Sequence, residues 1–317
     1  MSSRFPVTYR VASSCFEPDP KHDLPRRREA LRAHVVELLT EVRPDLVVLP
    51  EVAVATGLGP EARWGAEPVA AGTVPLMAEL AAAFKTNLCV PIVEDDRGVL
   101  YNTAVYVDRA GRVAGTYRKR VLTLGELERG LRPGAAEQPP VALDGLRIGT
   151  AICFDENFPD QIWSWIEAGV DLLVFPAYTF AGELMRAWAI NCAVPMVCAF
   201  PWESVIYDRD GGVLAKAGSL TTTVQFGHHP RWIAATLNFR SRVYHLDYNQ
   251  EHLKELRARY GTKVDVRTME REGRFMITVR DGDLDLDAVE HELKLTPLQA
   301  YLRKAREANR KAAPMEI

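Results

Sequence analysis

Long apolar runs are missing from this 317-residue sequence, and no window approaches the ~18 to 20 continuous apolar residues of a membrane-spanning helix. The first residues, 1–7, also lack the apolar core of a secretory signal. An excess of charge of one sign is missing as well, since 39 basic and 42 acidic residues are interspersed and give a formal charge of −3. We therefore expect a cytoplasmic protein that binds a small molecule, with no nucleic acid and no membrane as partner.

Metal-binding and disulfide patterns are missing too. The cysteines form no CxxC pair and no Cys/His ligand spacing, and their odd number suits a reducing compartment. We expect no disulfide, no metal site and no cofactor. The five cysteines are Cys15, Cys89, Cys153, Cys192 and Cys198.

What the sequence does contain is a cysteine at a junction between predicted elements. In segment 147–160, Cys153 follows a predicted buried strand and precedes a predicted helix. A thiol at such a junction projects from a rigid element into a crevice, where backbone N–H groups can receive an oxyanion. The alternative is an inert packing residue, because free cysteine is among the most buried residue types.

Two other predicted strands end in charged residues. Glu51 follows the apolar run 46–49 and Pro50, which stops the strand. Lys119 is the middle residue of a basic triplet after the strand 112–117. Without the Cys153 segment, a helix cap and a solvated cation would explain these two residues better.

Together, the three segments carry a family resemblance. The order Pro-Glu, Tyr-Arg-Lys, then Ile-Cys-Phe-Asp followed by Phe-Pro resembles the signature of the nitrilase superfamily of carbon–nitrogen hydrolases, which uses a Glu-Lys-Cys triad. The resemblance implies that Cys153 is the nucleophile and that Glu51 is the general base. It implies that Lys119 lowers the pKa of the thiol and, with the backbone N–H of Phe154, holds the oxyanion.

The fold class follows from the alternation of helices, strands and hairpins, which predicts an α/β protein with a mixed sheet. The resemblance refines this to a four-layer αββα sandwich with two mixed β-sheets. Residues 1–240 are expected to form the carbon–nitrogen hydrolase domain. Residues 241–317 are expected to form a carboxyl-terminal extension that packs on the core or on a partner subunit, and the resemblance implies a homo-oligomer, a dimer or larger.

A second glutamate that orients the substrate and the lysine is also implied by the resemblance. Glu126 matches the Lys-x-x-x-Thr-x-x-Glu spacing that begins at Lys119, and Glu128 matches an alternative pattern of carbamoyl-amino-acid hydrolases. We favour Glu126. We expect both residues to lie in a loop between Lys119 and Pro133, where either is alternatively an ordinary exposed carboxylate.

The pocket departs from the family pattern. Val121 stands where a histidine is common, and Glu203 stands where a glycine-x-serine element is common. The sequence therefore does not identify the substrate. Candidate pocket walls, which are alternatively ordinary core residues, are Tyr178, Thr179, Phe180 and Trp202.

The predicted function is hydrolysis of a non-peptide carbon–nitrogen bond through a cysteine thioester. An amide is favoured over a nitrile because the motif reads Cys153-Phe154-Asp155 rather than the Cys-Trp-Glu of true nitrilases. The alternatives are a nitrilase, an N-carbamoyl hydrolase, and an amide synthase in which an amine resolves the same thioester. The sequence alone does not separate hydrolysis from acyl transfer.

Overall fold

Two mixed sheets form the centre of the molecule. The structure, a computed structural model, describes residues 7–179, 182–217 and 231–312. Within these ranges each of the two sheets has six strands. The first sheet has the spatial order β12 (Trp232–Asn238), β1 (Thr8–Ser14), β2 (Leu46–Val48), β3 (Asn87–Asp96), β4 (Val99–Val107), β5 (Val113–Arg118). In it β1, β2 and β3 run parallel and the other pairings are antiparallel.

The second sheet repeats this plan. Its order is β11 (Val213–Ala217), β10 (Ser204–Tyr207), β9 (Met196–Ala199), β8 (Leu172–Pro176), β7 (Leu146–Thr150), β6 (Val141–Leu143). The strands β7, β8 and β9 are parallel, and antiparallel strands flank them. The central strands read as continuous apolar runs because both of their faces are buried.

The two sheets face each other and helices cover their outer surfaces. Between the sheets, Tyr106 of β4 and Thr150 of β7 share a hydrogen bond of 2.6 Å. The helices α1 (Leu24–Val42) and α2 (Thr73–Phe84) pack their apolar faces on the first sheet. A short helix, α3 (Leu124–Glu128), follows β5, and the second sheet is covered by α4 (Asp160–Ala168) and α5 (Glu183–Cys192). This confirms the predicted α/β sandwich with two mixed sheets.

The carboxyl-terminal segment has its own small sheet and apolar cluster. The antiparallel sheet has the order β13 (Ser241–His245), β15 (Arg274–Val279), β14 (Val264–Met269). Its helices are α6 (Leu246–Asn249), α7 (His252–Tyr260), α8 (Leu286–Leu293) and α9 (Leu298–Ala312).

This segment contacts the core of the same chain. The side-chain amide of Gln299 on α9 donates to the carbonyls of Cys192 at 2.7 Å and Val170 at 3.1 Å. Cys192 is the last residue of α5 and Val170 follows α4, and both of these helices cover the second sheet. Within the described ranges, no helix is both long enough and apolar enough to cross a membrane.

Candidate active site

Ends of strands from both sheets converge on one crevice. Glu51 follows β2 and Lys119 follows β5 in the first sheet, while Cys153 follows β7 and Tyr178 follows β8 in the second. The backbone N–H of Tyr178 donates to Glu51 Oε2 at 2.9 Å and so joins the two sheets at this point. Residues that are far apart in the sequence therefore meet where the carboxyl ends of parallel strands come together.

A buried ammonium between two carboxylates forms the floor of the crevice. Lys119 Nζ lies 3.0 Å from Glu51 Oε1 and 3.0 and 2.9 Å from the two oxygens of Glu126. Asn102 of β4 donates to both carboxylates, at 2.7 Å to Glu51 and 2.9 Å to Glu126. Lys119 is 2% exposed and Glu51 is 5% exposed, so the network is held away from bulk water.

The opposite charges of this network stabilise one another. Burial opposes the charge of Lys119, but the carboxylates of Glu51 and Glu126 outweigh that effect and raise the pKa of the lysine. Burial likewise opposes the charge of Glu126, yet Lys119 and Asn102 lower the pKa of this carboxyl group. Lys119 is thus a fixed cation and does not accept protons near neutral pH.

Cys153 is presented by an unusual backbone conformation. It begins a 3₁₀ helix, Cys153–Asn157, with a φ of 46°, which is uncommon for a residue with a side chain. Its thiol interacts with the Glu51 carboxylate and the Tyr178 N–H, and its Sγ lies 3.9 Å from Thr179 Oγ1. The thiol therefore lies between the two sheets, beside the buried Glu51 carboxylate.

Lys119 acts on the pKa of the Cys153 thiol in the expected direction, but the net shift is upward. Burial, followed by the negative charge of Glu51, raises the pKa of the thiol to about 12, although Lys119 acts in the opposite direction. Lys119 is already neutralised by two carboxylates, which explains why its effect is outweighed. The resting thiol is protonated at neutral pH.

The structure brings Glu126, and not Glu128, into the cluster. The two glutamates belong to helix α3 rather than to the expected loop. Thr123 caps this helix, and Glu126 completes a capping box in which its Oε2 accepts from the Thr123 N–H at 2.9 Å. Glu128 lies on the exposed side of the same helix.

One of the candidate pocket residues, Thr179, lies beside the thiol. Tyr178 packs edge-to-face on Trp202 with ring centroids 5.0 Å apart, and each of these side chains is 37% exposed. Thr179 contacts Cys153 as described above. Phe180 lies outside the described residues.

Sequence reasoning assigned no role to two residues that organise the site. Asn102 holds Glu51 and Glu126 together, and a buried asparagine within an apolar strand was the available signal. Asp155 is fully buried and accepts from the Ile152 N–H and the Val121 N–H, each at 2.9 Å. It thereby ties the turn that carries Cys153 to the segment that follows Lys119.

Comparison with known proteins identifies the family. The model of the family described as carbon-nitrogen hydrolase matches residues 11–231. A curated relative, "Hydrolase in pqqF 5'region" of Pseudomonas protegens, is 28% identical over 194 residues, which are 55% of this chain and 68% of the relative.

Solved structures share the fold. Saccharomyces cerevisiae Nit3, a member of branch 10 of the nitrilase superfamily, has a TM-score of 0.63 at 19% identity, over 81% of this chain and 99% of Nit3. A variant of the amidase from Nesterenkonia sp. AN1, which shows covalent addition of the acetamide moiety of fluoroacetamide at its active-site cysteine, has a TM-score of 0.60 at 17% identity, over 80% and 96% of the two chains. Because the family model matches well over half of the sequence, this chain belongs to the carbon-nitrogen hydrolase family and is an enzyme of that class.

Proposed function

We propose that this protein hydrolyses an amide, at a non-peptide carbon–nitrogen bond, through a thioester on Cys153. The observation that carries the proposal is the buried cluster in which the thiol of Cys153 interacts with Glu51 while Lys119 is held between Glu51 and Glu126. This arrangement supplies a nucleophile, a base within reach of its proton, and a fixed positive charge.

Acylation begins from a protonated thiol. As the substrate carbonyl approaches, Glu51 takes the proton from Sγ while the Sγ–C bond forms. The raised pKa of Cys153 makes this coupled transfer necessary, since a free thiolate is scarce at neutral pH. The negative charge that develops on the carbonyl oxygen is stabilised by Lys119 and the backbone N–H of Phe154, at about 3 kcal/mol for a well-placed donor.

The C–N bond then breaks. Glu51 returns the proton to the departing nitrogen, so an amine or ammonia leaves and the acyl group stays on sulfur. Water next attacks the thioester, Glu51 takes a proton from that water, and the C–S bond breaks as the thiol regains a proton. The acid product leaves and the site returns to its starting state.

Glu126 takes part by geometry. Its two oxygens bind the Lys119 ammonium, and the capping box fixes the carboxylate. We infer that Glu126 keeps Lys119 aimed at the carbonyl oxygen and borders the substrate. The adduct on the active-site cysteine of the Nesterenkonia amidase supports the choice of an amide and of a cysteine nucleophile.

The direct test is Cys153→Ala, assayed by ammonia release from a panel of primary amides. We expect turnover to fall by at least about 10⁴-fold, because the group that forms the covalent bond is gone. Far-UV circular dichroism should be unchanged. The matched control is Cys15→Ala, another partly exposed cysteine, which should retain turnover.

Substantial turnover by a folded Cys153→Ala variant would overturn the proposal. Assays of the wild-type protein with nitriles, and with an amine added to the amide panel, separate the alternative activities. Turnover of nitriles alone would point to a nitrilase, and product formation only in the presence of an added amine would point to an amide synthase.

A further inference from the structure

A third glutamate stands next to the nucleophile and has no part in the mechanism above. Glu156 lies three residues after Cys153 in the 3₁₀ helix Cys153–Asn157. Glu156 and Cys153 thus belong to the same short turn, which joins β7 to α4. The indole N–H of Trp188 donates to the Glu156 carbonyl at 3.3 Å and holds the backbone in place.

The carboxylate of Glu156 interacts electrostatically with charged residues of the crevice. The charges of Glu51 and Lys119 both act on it, and its own charge acts on Cys198 at the end of β9. Glu156 itself follows β7, whose carboxyl end borders the crevice, and it is partly exposed.

One oxygen of this carboxylate is buried without a partner. Within the described part of the chain, Glu156 Oε2 is inaccessible to solvent and forms no hydrogen bond. An ionised carboxylate in such a position loses its hydration without compensation, which is costly unless a positive group binds there. Asn102, Lys119 and Tyr178 satisfy Glu51 and Glu126, whereas nothing comparable serves Glu156.

The surroundings also favour a cation. Lys119 is the one ammonium between two carboxylates on the described crevice floor, so negative charge is in excess there before Glu156 is counted. The exposed aromatic rings of Tyr178 and Trp202 stand at the rim, and such rings attract cations. Glu17 accepts from the Trp202 indole, which adds a further carboxylate at that rim.

We propose that Glu156 determines substrate specificity by binding a positively charged amine or guanidinium, so that the preferred substrate is an amide that also carries a cationic group. This inference rests on the proposed amide hydrolysis. The cation binds at the partly exposed Glu156 side chain and offsets the negative charge of the crevice. An anionic amide of the same size is disfavoured by the same carboxylates.

The wild-type protein provides the first test. Ammonia release is measured with 4-aminobutanamide, with the uncharged pentanamide of equal heavy-atom number, and with succinamate as the anionic compound. We expect kcat/KM to be about 10- to 100-fold higher for 4-aminobutanamide than for pentanamide, as for one charge-assisted hydrogen bond, and lowest for succinamate. Equal rates for the cationic and uncharged amides, or a preference for succinamate, would overturn the inference.

The variant Glu156→Gln supplies the second test. It keeps the shape of the side chain and removes its charge, so the ratio of kcat/KM between 4-aminobutanamide and pentanamide should fall to about one. Glu137→Gln, an exposed glutamate, is the matched control and should keep the wild-type ratio. A Glu156→Gln variant that is folded and keeps the wild-type ratio would assign specificity to another residue.

A pH series on the wild-type protein distinguishes cation binding by Glu156 from a purely structural role, which would leave the ratio of kcat/KM independent of pH. Burial, and then the charge of Glu51, raise the pKa of Glu156 to about 7. The ratio between the cationic and uncharged amides should therefore increase from pH 6 to pH 8, as the carboxylate ionises, and a flat ratio would contradict the assignment. Absence of turnover and of any acyl adduct with all three amides would instead be a failure of the proposed function.

Discussion

At the scale of single residues, Glu51 has two opposing effects on Cys153. Its negative charge raises the pKa of the thiol, yet it is also the group placed to accept the thiol proton. These two effects are separable by substitution. A probe that reacts with free thiolate reports the first effect, whereas amide turnover reports the second.

We predict that Glu51→Gln makes Cys153 more reactive toward iodoacetamide while it slows amide turnover. Removal of the carboxylate lowers the pKa of the thiol, because Lys119 remains nearby, and alkylation at pH 7.5 should be about 3- to 30-fold faster. Turnover should fall by about 10²- to 10⁴-fold through the loss of proton transfer. Peptide mapping after brief labelling and ammonia release measure the two quantities.

In the wild-type protein the alkylation rate should rise about tenfold per pH unit between pH 7 and pH 9, because the thiol, with its raised pKa, is still protonated there. A plateau in this range would mean that the resting site already holds a thiolate. A parallel loss of alkylation and turnover in Glu51→Gln would lead to the same conclusion.

The second glutamate is tested by a matched pair on one helix. Glu126→Gln removes the charge that holds Lys119, so the acylation rate in single-turnover experiments should fall by about 10²-fold while iodoacetamide still labels Cys153. Glu128→Gln removes an equal charge from the exposed side of α3 and should leave the rate within about twofold. The reverse result would move the role to Glu128.

Much of this site could be predicted from the sequence, because each of Glu51, Lys119 and Cys153 ends a strand and the strand ends carry recognisable motifs. The pKa of Cys153 could not be predicted. It depends on burial between two sheets and on a lysine that is already paired twice, and both are properties of the assembled fold. The unpartnered oxygen of Glu156 is likewise visible only in three dimensions.

At the scale of elements, helix α3 connects local stability to the chemistry. Its capping box uses the Thr123 hydroxyl and the Glu126 carboxylate, and the latter also binds Lys119. The Thr-x-x-Glu spacing is a capping-box pattern as well as a family motif, but the helix is short and was expected to be a loop. A five-residue helix has little periodicity to detect.

We predict that Thr123→Val weakens the site without removing a charge. Loss of the cap should cost about 1 kcal/mol of the free energy of unfolding, which chemical denaturation measures. Turnover should fall by about 3- to 10-fold, less than for Glu126→Gln, because the Thr123 N–H still binds Glu126 Oε2.

The control for this change is Thr40→Val, the same substitution at an exposed position of helix α1. It should leave turnover unchanged. If Thr123→Val also leaves turnover unchanged while stability falls, the capping box does not contribute to the position of Lys119.

Other elements show where sequence patterns succeed and fail. Sequence patterns predict helices near residues 160–168 and 183–192, and α4 and α5 have these bounds because their apolar spacing matches the buried face. Strand β1 was not predicted, since four of its seven residues, including Ser13 and Ser14, are polar. Both serines are buried and hydrogen-bonded to Cys198 O and His34, respectively, so polar residues occupy core positions there.

The carboxyl-terminal segment shows a similar failure. The capping-box spacing from Asp247 to Gln250 predicts one helix that runs to Tyr260. Instead His245 caps α6 through the Asp247 N–H, and the helix is interrupted before α7. Competing polar side chains near a helix start make its first residue hard to assign from spacing alone.

At the scale of the whole molecule, the sandwich explains why these residues meet. Glu51 and Lys119 follow strands of one sheet, and Cys153 follows a strand of the other. The two apolar faces that pack between the sheets thus also set the distance between these three residues. The family resemblance supplied this architecture, whereas periodicity alone predicted only a mixed α/β fold.

The role of the carboxyl-terminal segment stays a prediction at this scale. Gln299 donates hydrogen bonds to the core of the same chain. Packing on a partner subunit stays a prediction. The expected homo-oligomer and the boundary near residue 240 likewise stay predictions.

The central claim is that Cys153 carries the acyl group, and the mass of the intact protein tests it most directly. An activated ester is used, such as p-nitrophenyl butyrate, because acylation is then fast and the acyl-enzyme accumulates, above all in Glu51→Gln, where deacylation is slow. After acid quenching we predict a mass increase of one acyl group per chain, mapped to the peptide that contains Cys153 and removed by hydroxylamine. Cys153→Ala should show no such adduct. An adduct on a different residue, or amide turnover by Cys153→Ala, would contradict the account.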